Sequence, residues 1–135
     1  MITSKKIKEV IKNSKLPKGF ELSFFIDRTD GQTSVYLCMF KKHSYDEIIA
    51  IVRFGIYVDG IFISDLNVKK KFRKTGIGTF LVSISEELLK KFGCKEVSLY
   101  SESDWHMKWY ESLGYKIIKD DKDYNSVYVF LKKEI

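Results

Sequence analysis

The chain reads as a single α/β domain built on a mixed, mostly antiparallel sheet with flanking helices. Four stretches rich in β-branched and aromatic residues follow one another in the first half, separated by turn residues. The apolar period changes to that of a helix after Gly76, and helical and strand patterns then alternate to the end. At 135 residues, 44% hydrophobic and 15% aromatic, the chain can bury one compact core and is too short for two ordinary domains. No linker composition or internal repeat divides residues 1–135, and the lone proline, Pro17, lies near the amino end.

Ile7, Val10 and Ile11 recur at helical spacing within Ser4 to Asn13, and Pro17-Lys18-Gly19 stops that helix. The four strand candidates are Phe20 to Ile26, Ser34 to Phe40, Glu47 to Val58 and Ile61 to Val68. Asp30-Gly31 and Asp59-Gly60 are hairpin signals, since a tight turn needs positive φ where Gly and Asx are cheapest. An antiparallel meander follows from them. Beyond Gly76, Ile77, Phe80, Leu81, Ile84, Leu88 and Phe92 form one apolar face, and Gly93 ends the helix. Val97 to Tyr100 reads as a buried strand, Asp104 to Leu113 as a short helix stopped by Gly114, and Tyr115 to Ile118 and Ser126 to Leu131 as closing strands. Strand, helix and strand in succession predict a right-handed parallel crossover attached to the meander.

The formal net charge is +6, and its densest run is Lys69-Lys70-Lys71-Phe72-Arg73-Lys74. Carboxylates gather instead between Glu102 and Asp123, among them Asp104, Glu111, Asp120, Asp121 and Asp123. Met1 to Lys6 never build the apolar run of a signal peptide, and no stretch is long and apolar enough to span a bilayer. A cytoplasmic protein without membrane attachment is expected. Cys38 and Cys94 stand apart with no ligand-spaced Cys or His beside them, so they read as reduced, buried residues and no metal is expected.

The sharpest physical feature is the start of the helix at Gly76. Free N–H groups and the helix dipole make that end positive, and most helices answer with Asp or Glu in the first turn. Here the first carboxylate is Glu86, and the residues ahead are Arg73 and Lys74. Gly76 and Gly78 remove side chains where a diphosphate would approach, and Thr75 or Thr79 offers a hydroxyl. The pattern is neither a P-loop, because Gly78-Thr79-Phe80 lacks the lysine, nor a Rossmann fingerprint, because a third glycine is missing.

These residues resemble the central motif of the GNAT superfamily of N-acetyltransferases. That motif runs Arg or Gln, two residues, Gly, one residue, Gly or Ala, after a strand ending in apolar-x-Val. Leu66-Asn67-Val68 and Arg73-x-x-Gly76-x-Gly78 match it, and Trp109-Tyr110-Glu111-Ser112-Leu113-Gly114-Tyr115 matches the family's Phe-Tyr-x-x-Leu-Gly-Phe/Tyr. The resemblance covers Glu47 to Leu131. It implies a splayed parallel strand pair and acetyl-CoA as cosubstrate, its pantetheine arm on Leu66, Asn67 and Val68. The N–H groups of Arg73, Lys74, Thr75, Gly76, Ile77, Gly78 and Thr79 would hold the pyrophosphate. Ser103 stands where the family usually has Asn near the pantetheine, and it can cap the following helix. Only Asp27 to Thr33 separate the first two strands, where the family usually inserts one or two helices that shape the acceptor pocket.

Amide formation from a thioester needs a neutral amine, stabilisation of a developing oxyanion and a proton for the leaving thiolate. Tyr110 occupies the family's acid position, and a phenol with an ordinary pKa of about 10 is neutral beforehand. Phe62 and Ser64 occupy positions where many relatives carry Glu, so Asp65 is the nearest candidate base. Pairing within the sheet is the competing role for Asp65, and His106, one turn before Tyr110, is a second candidate. The expected activity is acetyl transfer by direct attack of a primary amine, on a small molecule or a protein. Asp65, Glu102 and Asp104 suit a cationic acceptor. The alternative is a non-catalytic CoA-binding regulator, motivated by the missing strand Glu. Nucleic acid is disfavoured as a partner, since it explains neither the glycines nor the Tyr110 motif, and a homodimer stays open.

Overall fold

A computed structural model of the protein describes residues 1–118 and 128–135. Helix α1 (Ser4–Asn13) is capped by Thr3, whose hydroxyl accepts the Lys6 N–H, and buries Ile7 and Val10. Strands β1 (Phe20–Thr29) and β2 (Gln32–Lys41) form one long hairpin. Its two-residue turn is Asp30-Gly31, both at positive φ (54° and 75°), which matches the twist of the strands. The strands thus run closer together than Asp27 to Thr33 suggests, because alternation continues through polar residues up to the turn.

Strands β3 (Ala50–Tyr57) and β4 (Gly60–Val68) form the second hairpin. Its loop is Val58-Asp59, one residue ahead of the expected Asp59-Gly60, and Gly60 opens β4 at φ 142°. β3 starts at Ala50 rather than Glu47, because the Glu47 carboxylate turns aside to meet Lys69 at 2.7 Å. A 3-10 turn over Lys70–Phe72 leads to α2 (Ile77–Lys91), followed by β5 (Glu96–Ser101) and α3 (Asp104–Ser112). The closing strands are shorter or later than expected, β6 at Lys116–Ile117 and β7 at Val129–Glu134. Asp120, Asp121, Asp123 and Ser126 lie outside the described residues.

The seven strands lie in the order β1-β2-β3-β4-β5-β7-β6, antiparallel throughout except for β4 beside β5. The predicted crossover is therefore β4-α2-β5. The core is one-sided. Val35, Leu37 and Met39 of β2, Val52 and Phe54 of β3, and Val97 and Leu99 of β5 are all buried, in one cluster with Ile7, Leu81, Leu88 and Tyr110 of the helices. Both cysteines are buried thiols, Cys94 in that cluster, and burial raises both above their ordinary pKa.

The other face carries an aromatic on nearly every strand: Phe25, Tyr36, Tyr57, Phe62, Tyr100 and Phe130. Phe25 lies flat on Tyr36 with centroids 4.4 Å apart, and Phe62 on Tyr100 at 5.8 Å. Phe25 and Tyr100 stay more than half exposed. Between them small residues keep the sheet flat-surfaced: Ser34 accepts or donates to the Tyr57 hydroxyl at 2.9 Å across Gly55. A Cβ on Gly55 would collide with the Thr33 carbonyl oxygen and lie 3.0 Å from the Tyr57 hydroxyl. Gly55→Ala is therefore expected to destabilise the protein by about 1–3 kcal/mol, the ordinary penalty of overpacking. Urea unfolding should show a lower midpoint at unchanged slope, and an unmoved midpoint would contradict the clash.

Candidate active site

β4 and β5 pair only around Phe62 and Ser98. Beyond that point the β4 residues Asp65 to Val68 have no ladder on their β5 side, leaving backbone donors and acceptors along an open edge. β4 is also bulged. Ile51 faces Asn67 and Arg53 faces Ser64, so Val52 stands opposite two residues, Asp65 and Leu66. Asp65 takes φ 54°, a left-handed conformation that costs a non-glycine residue about 1 kcal/mol or more.

The open edge runs straight into the start of α2. Gly76 is the cap residue at φ 87°, with no side chain bonding the first turn, no acid in that turn, and empty space where a Cβ would be. Lys74 is also left-handed at φ 62°, so the loop from Arg73 to Gly76 curls its backbone around one point. Several groups of this segment already have partners. Arg73 Nε donates to the Val68 carbonyl at 2.8 Å, the Thr75 hydroxyl donates to the Phe72 carbonyl, and Lys69 pairs with Glu47. Lys71 lies 5.8 Å from the centre of the Phe72 ring.

α3 brings the second motif onto the first. Its cap is Ser103, whose hydroxyl accepts the His106 N–H at 3.2 Å and sits 2.7 Å from His106 Nδ1. Trp109 packs its ring against Gly78, 3.5 Å from the position of a Cβ there, with Val68 beside them. A Cβ at Gly78 would meet the indole at ordinary contact distance. Tyr110 is buried, edge-on to Trp109 and to Tyr115, and burial pushes its phenol up to about 12. Tyr115 donates to Glu86 of α2 at 3.1 Å, and Lys133 holds the same carboxylate at 2.8 Å, which ties the end of the motif to α2 and β7.

Asp65 and His106 answer the sequence reading differently. Asp65 is paired within the sheet, 3.1 Å from Arg53 Nε, while its side chain remains more than half exposed. His106 is exposed on α3, held by Ser103 and edge-on to Trp105. The sequence reading overlooked Arg53 and Tyr36, whose side chains bond each other at 3.2 Å. The signal was available: Arg53 is the lone cation in the strand Ala-Ile-Val-Arg-Phe-Gly-Ile-Tyr. Among the described residues no group of three or more His, Cys, Asp or Glu is placed to hold a metal ion, and no helix is long and apolar enough to cross a membrane.

Known proteins share this fold. The archaeal Elp3 of Methanocaldococcus infernus is similar at a TM-score of 0.68 and 19% identity, over 93% of this chain and 32% of that one. The PaiA N-acetyltransferase of Thermoplasma acidophilum, solved with coenzyme A, is similar at a TM-score of 0.64 and 20% identity, over 76% of this chain and 61% of its own. An acetyltransferase structure from Bacillus anthracis with acetyl coenzyme A gives 0.60 and 13%, over 87% and 86%. No curated protein sequence matches the chain. At these identities the likenesses establish the fold, while the sequence itself matches the Acetyltransferase (GNAT) family over residues 8–115. With four fifths of its length in that match, the chain belongs to the GNAT acetyltransferase family.

Proposed function

We propose that the protein is an acetyl-CoA-dependent N-acetyltransferase that passes the acetyl group to a primary amine by direct attack. The observation that carries this reading is the convergence of an unpaired β4 edge, an uncompensated helix start and a buried tyrosine at one end of the parallel strand pair. Such an end is where open α/β sheets receive their ligands. The residues present fit acetyl-CoA. Leu66 to Val68 offer backbone partners to an amide-bearing pantetheine arm, and the loop from Arg73 to Thr79 offers N–H groups to a pyrophosphate. When bound, acetyl-CoA supplies an acyl group already activated as a thioester.

The chain's own groups then have three tasks. Backbone N–H groups at the β4 bulge would stabilise the negative charge that develops on the thioester oxygen, since the fold orients them before reaction begins. Asp65 takes a proton from the substrate ammonium, directly or through a water, and frees the neutral amine that attacks. As the new C–N bond forms and the C–S bond breaks, the nitrogen sheds its surplus proton to solvent, and Tyr110 donates its phenolic proton to the departing sulfur and is reprotonated from solvent. Its raised pKa keeps that proton in place at neutral pH. The amine approaches from the aromatic face, which no helix of the described residues covers. Acids at the gap, Asp65 with Glu102 and Asp104 at the start of α3, favour a cationic acceptor, small molecule or protein.

One observation favours a CoA-binding regulator instead: Asp65 is already engaged by Arg53, and β4 offers only Phe62 and Ser64 ahead of it. Following free thiol release from acetyl-CoA across a panel of amines separates the two. Turnover on any amine supports the enzyme, and saturable CoA binding without turnover on all of them supports the regulator.

Tyr110→Phe is expected to lower kcat by about 10²-fold, within the range for removal of a general acid, with acetyl-CoA affinity nearly unchanged. Unchanged kcat under chemistry-limited conditions would remove Tyr110 from the mechanism. The same residue makes the fold alkali-sensitive. Its folded pKa of about 12 lies above the unfolded value of about 10, so its stabilising contribution is complete below pH 10 and is lost as pH rises toward 12. Tyr110→Phe should flatten part of that alkaline decline in urea midpoints, and parallel curves for both proteins would contradict the burial argument.

A further inference from the structure

In a regular strand adjacent residues point to opposite faces, yet Arg53 reaches both Ser64 and Asp65. Its Nε lies 3.2 Å from Ser64 Oγ and 3.1 Å from Asp65 Oδ2. This is achievable because the left-handed Asp65 swings its carboxylate back onto the face that Ser64 occupies. The guanidinium is anchored in turn. Arg53 Nη1 donates to the Tyr36 hydroxyl at 3.2 Å and its carbon sits 5.7 Å from the centre of that ring, which is stacked on Phe25. Backbone register puts Phe25, Tyr36, Arg53 and Ser64 in one row across four strands.

We infer that Arg53 is a positioning residue that clamps the β4 bulge, holding Asp65 left-handed and Leu66 to Val68 in the orientation that receives acetyl-CoA. The inference rests on the acetyl-CoA reading for its consequence, though the clamp is a property of the free protein. An exposed ion pair contributes little to stability. The geometry gives this one a different use, since Nε meets two consecutive side chains, which a regular strand would point to opposite faces, while Nη1 is held on Tyr36. A residue other than glycine at positive φ relaxes when its restraint is removed. Without the guanidinium, Asp65 returns to the extended region, and the fraction of molecules with a competent edge falls. Apparent affinity falls by the same fraction.

The test uses the whole chain and reads CoA and acetyl-CoA binding by calorimetry, so loss of the Asp65 carboxylate as a base does not confuse it. Arg53→Met is expected to raise the Kd by roughly 5- to 20-fold. Adding Asp65→Gly to that variant should bring the Kd back to within about threefold of the parent, because glycine takes positive φ freely. Arg53→Lys keeps the charge but has no second nitrogen to stay on Tyr36 while the first holds the bulge, and it should bind as weakly as Arg53→Met. Parent-like affinity in Arg53→Met or Arg53→Lys, or no recovery in the glycine double variant, overturns the clamp. Should Arg53→Met not fold, Tyr36→Phe removes one anchor of the guanidinium, and its smaller loss of affinity should likewise vanish with Asp65→Gly. Backbone NMR of the ligand-free proteins gives a readout independent of CoA. Asp65 should hold positive φ in the parent and in Asp65-containing Arg53→Lys or Arg53→Met lose it, and a retained positive φ overturns the inference. A parent that binds no CoA refutes the acetyl-CoA reading alone, while the NMR comparison still decides the clamp.

Discussion

The parting of β4 from β5 is the constraint on which the rest of the structure depends. Buried backbone groups must be paired, so two adjacent parallel strands separate only where something other than a strand will satisfy them. Here they touch at Phe62 and Ser98 and then diverge, and every special feature nearby serves the divergence. The bulge at Asp65 turns β4 away, Arg73 returns to cover the Val68 carbonyl, and Ser103 caps the helix that leaves β5. Trp109 then closes the far side by packing onto Gly78. A gap with so many supports is a built feature of the fold.

The fold also has an unequal pair of faces. Buried residues of all three helices join the odd residues of β2 and the even residues of β3 in one core cluster. With β1 joined to β2 by two residues, no helix is available from that connection to cover the opposite face. What stands there is a layer of aromatic rings that shield one another edge to edge and face to face. Ser34, Cys38 and Ser98 are buried on this side, which no helix of the described residues covers. In the proposed reaction the acceptor side would be walled by the sheet itself.

Much of this was legible in the sequence. The hairpin Asp30-Gly31, the helix from Ile77 and the cap at Ser103 follow from local rules about φ, apolar period and side-chain capping, and the structure has them. The start of β3 was misplaced because Glu47 and Ile48 sit beside a strand without joining it. Their fate depends on Lys69, twenty-two residues away, which no local pattern reports. The same holds for the site. Two motifs identified Gly76, Gly78 and Tyr110 by spacing, but the contact between Trp109 and Gly78 that unites them is tertiary. Arg53 was passed over because its meaning lies wholly in what β4 does opposite it.

The distribution of charge sharpens the same point. A run of five cations from Lys69 to Lys74 reads as one basic patch, yet in the fold it is divided. Lys69 is held by Glu47, Arg73 by the Val68 carbonyl and Lys71 by the Phe72 ring, which leaves Lys70 and Lys74 without a partner among the described residues. Partnered cations shape the loop, and unpartnered ones set the field at its mouth. With no acid in the first turn of α2, that field adds to the helix dipole at Gly76 instead of cancelling it. The positive end is thus kept strong by two separate devices, an absence within the helix and a residue of charge ahead of it. An anion entering there meets backbone donors that are already fixed in place, so little ordering remains to oppose its binding.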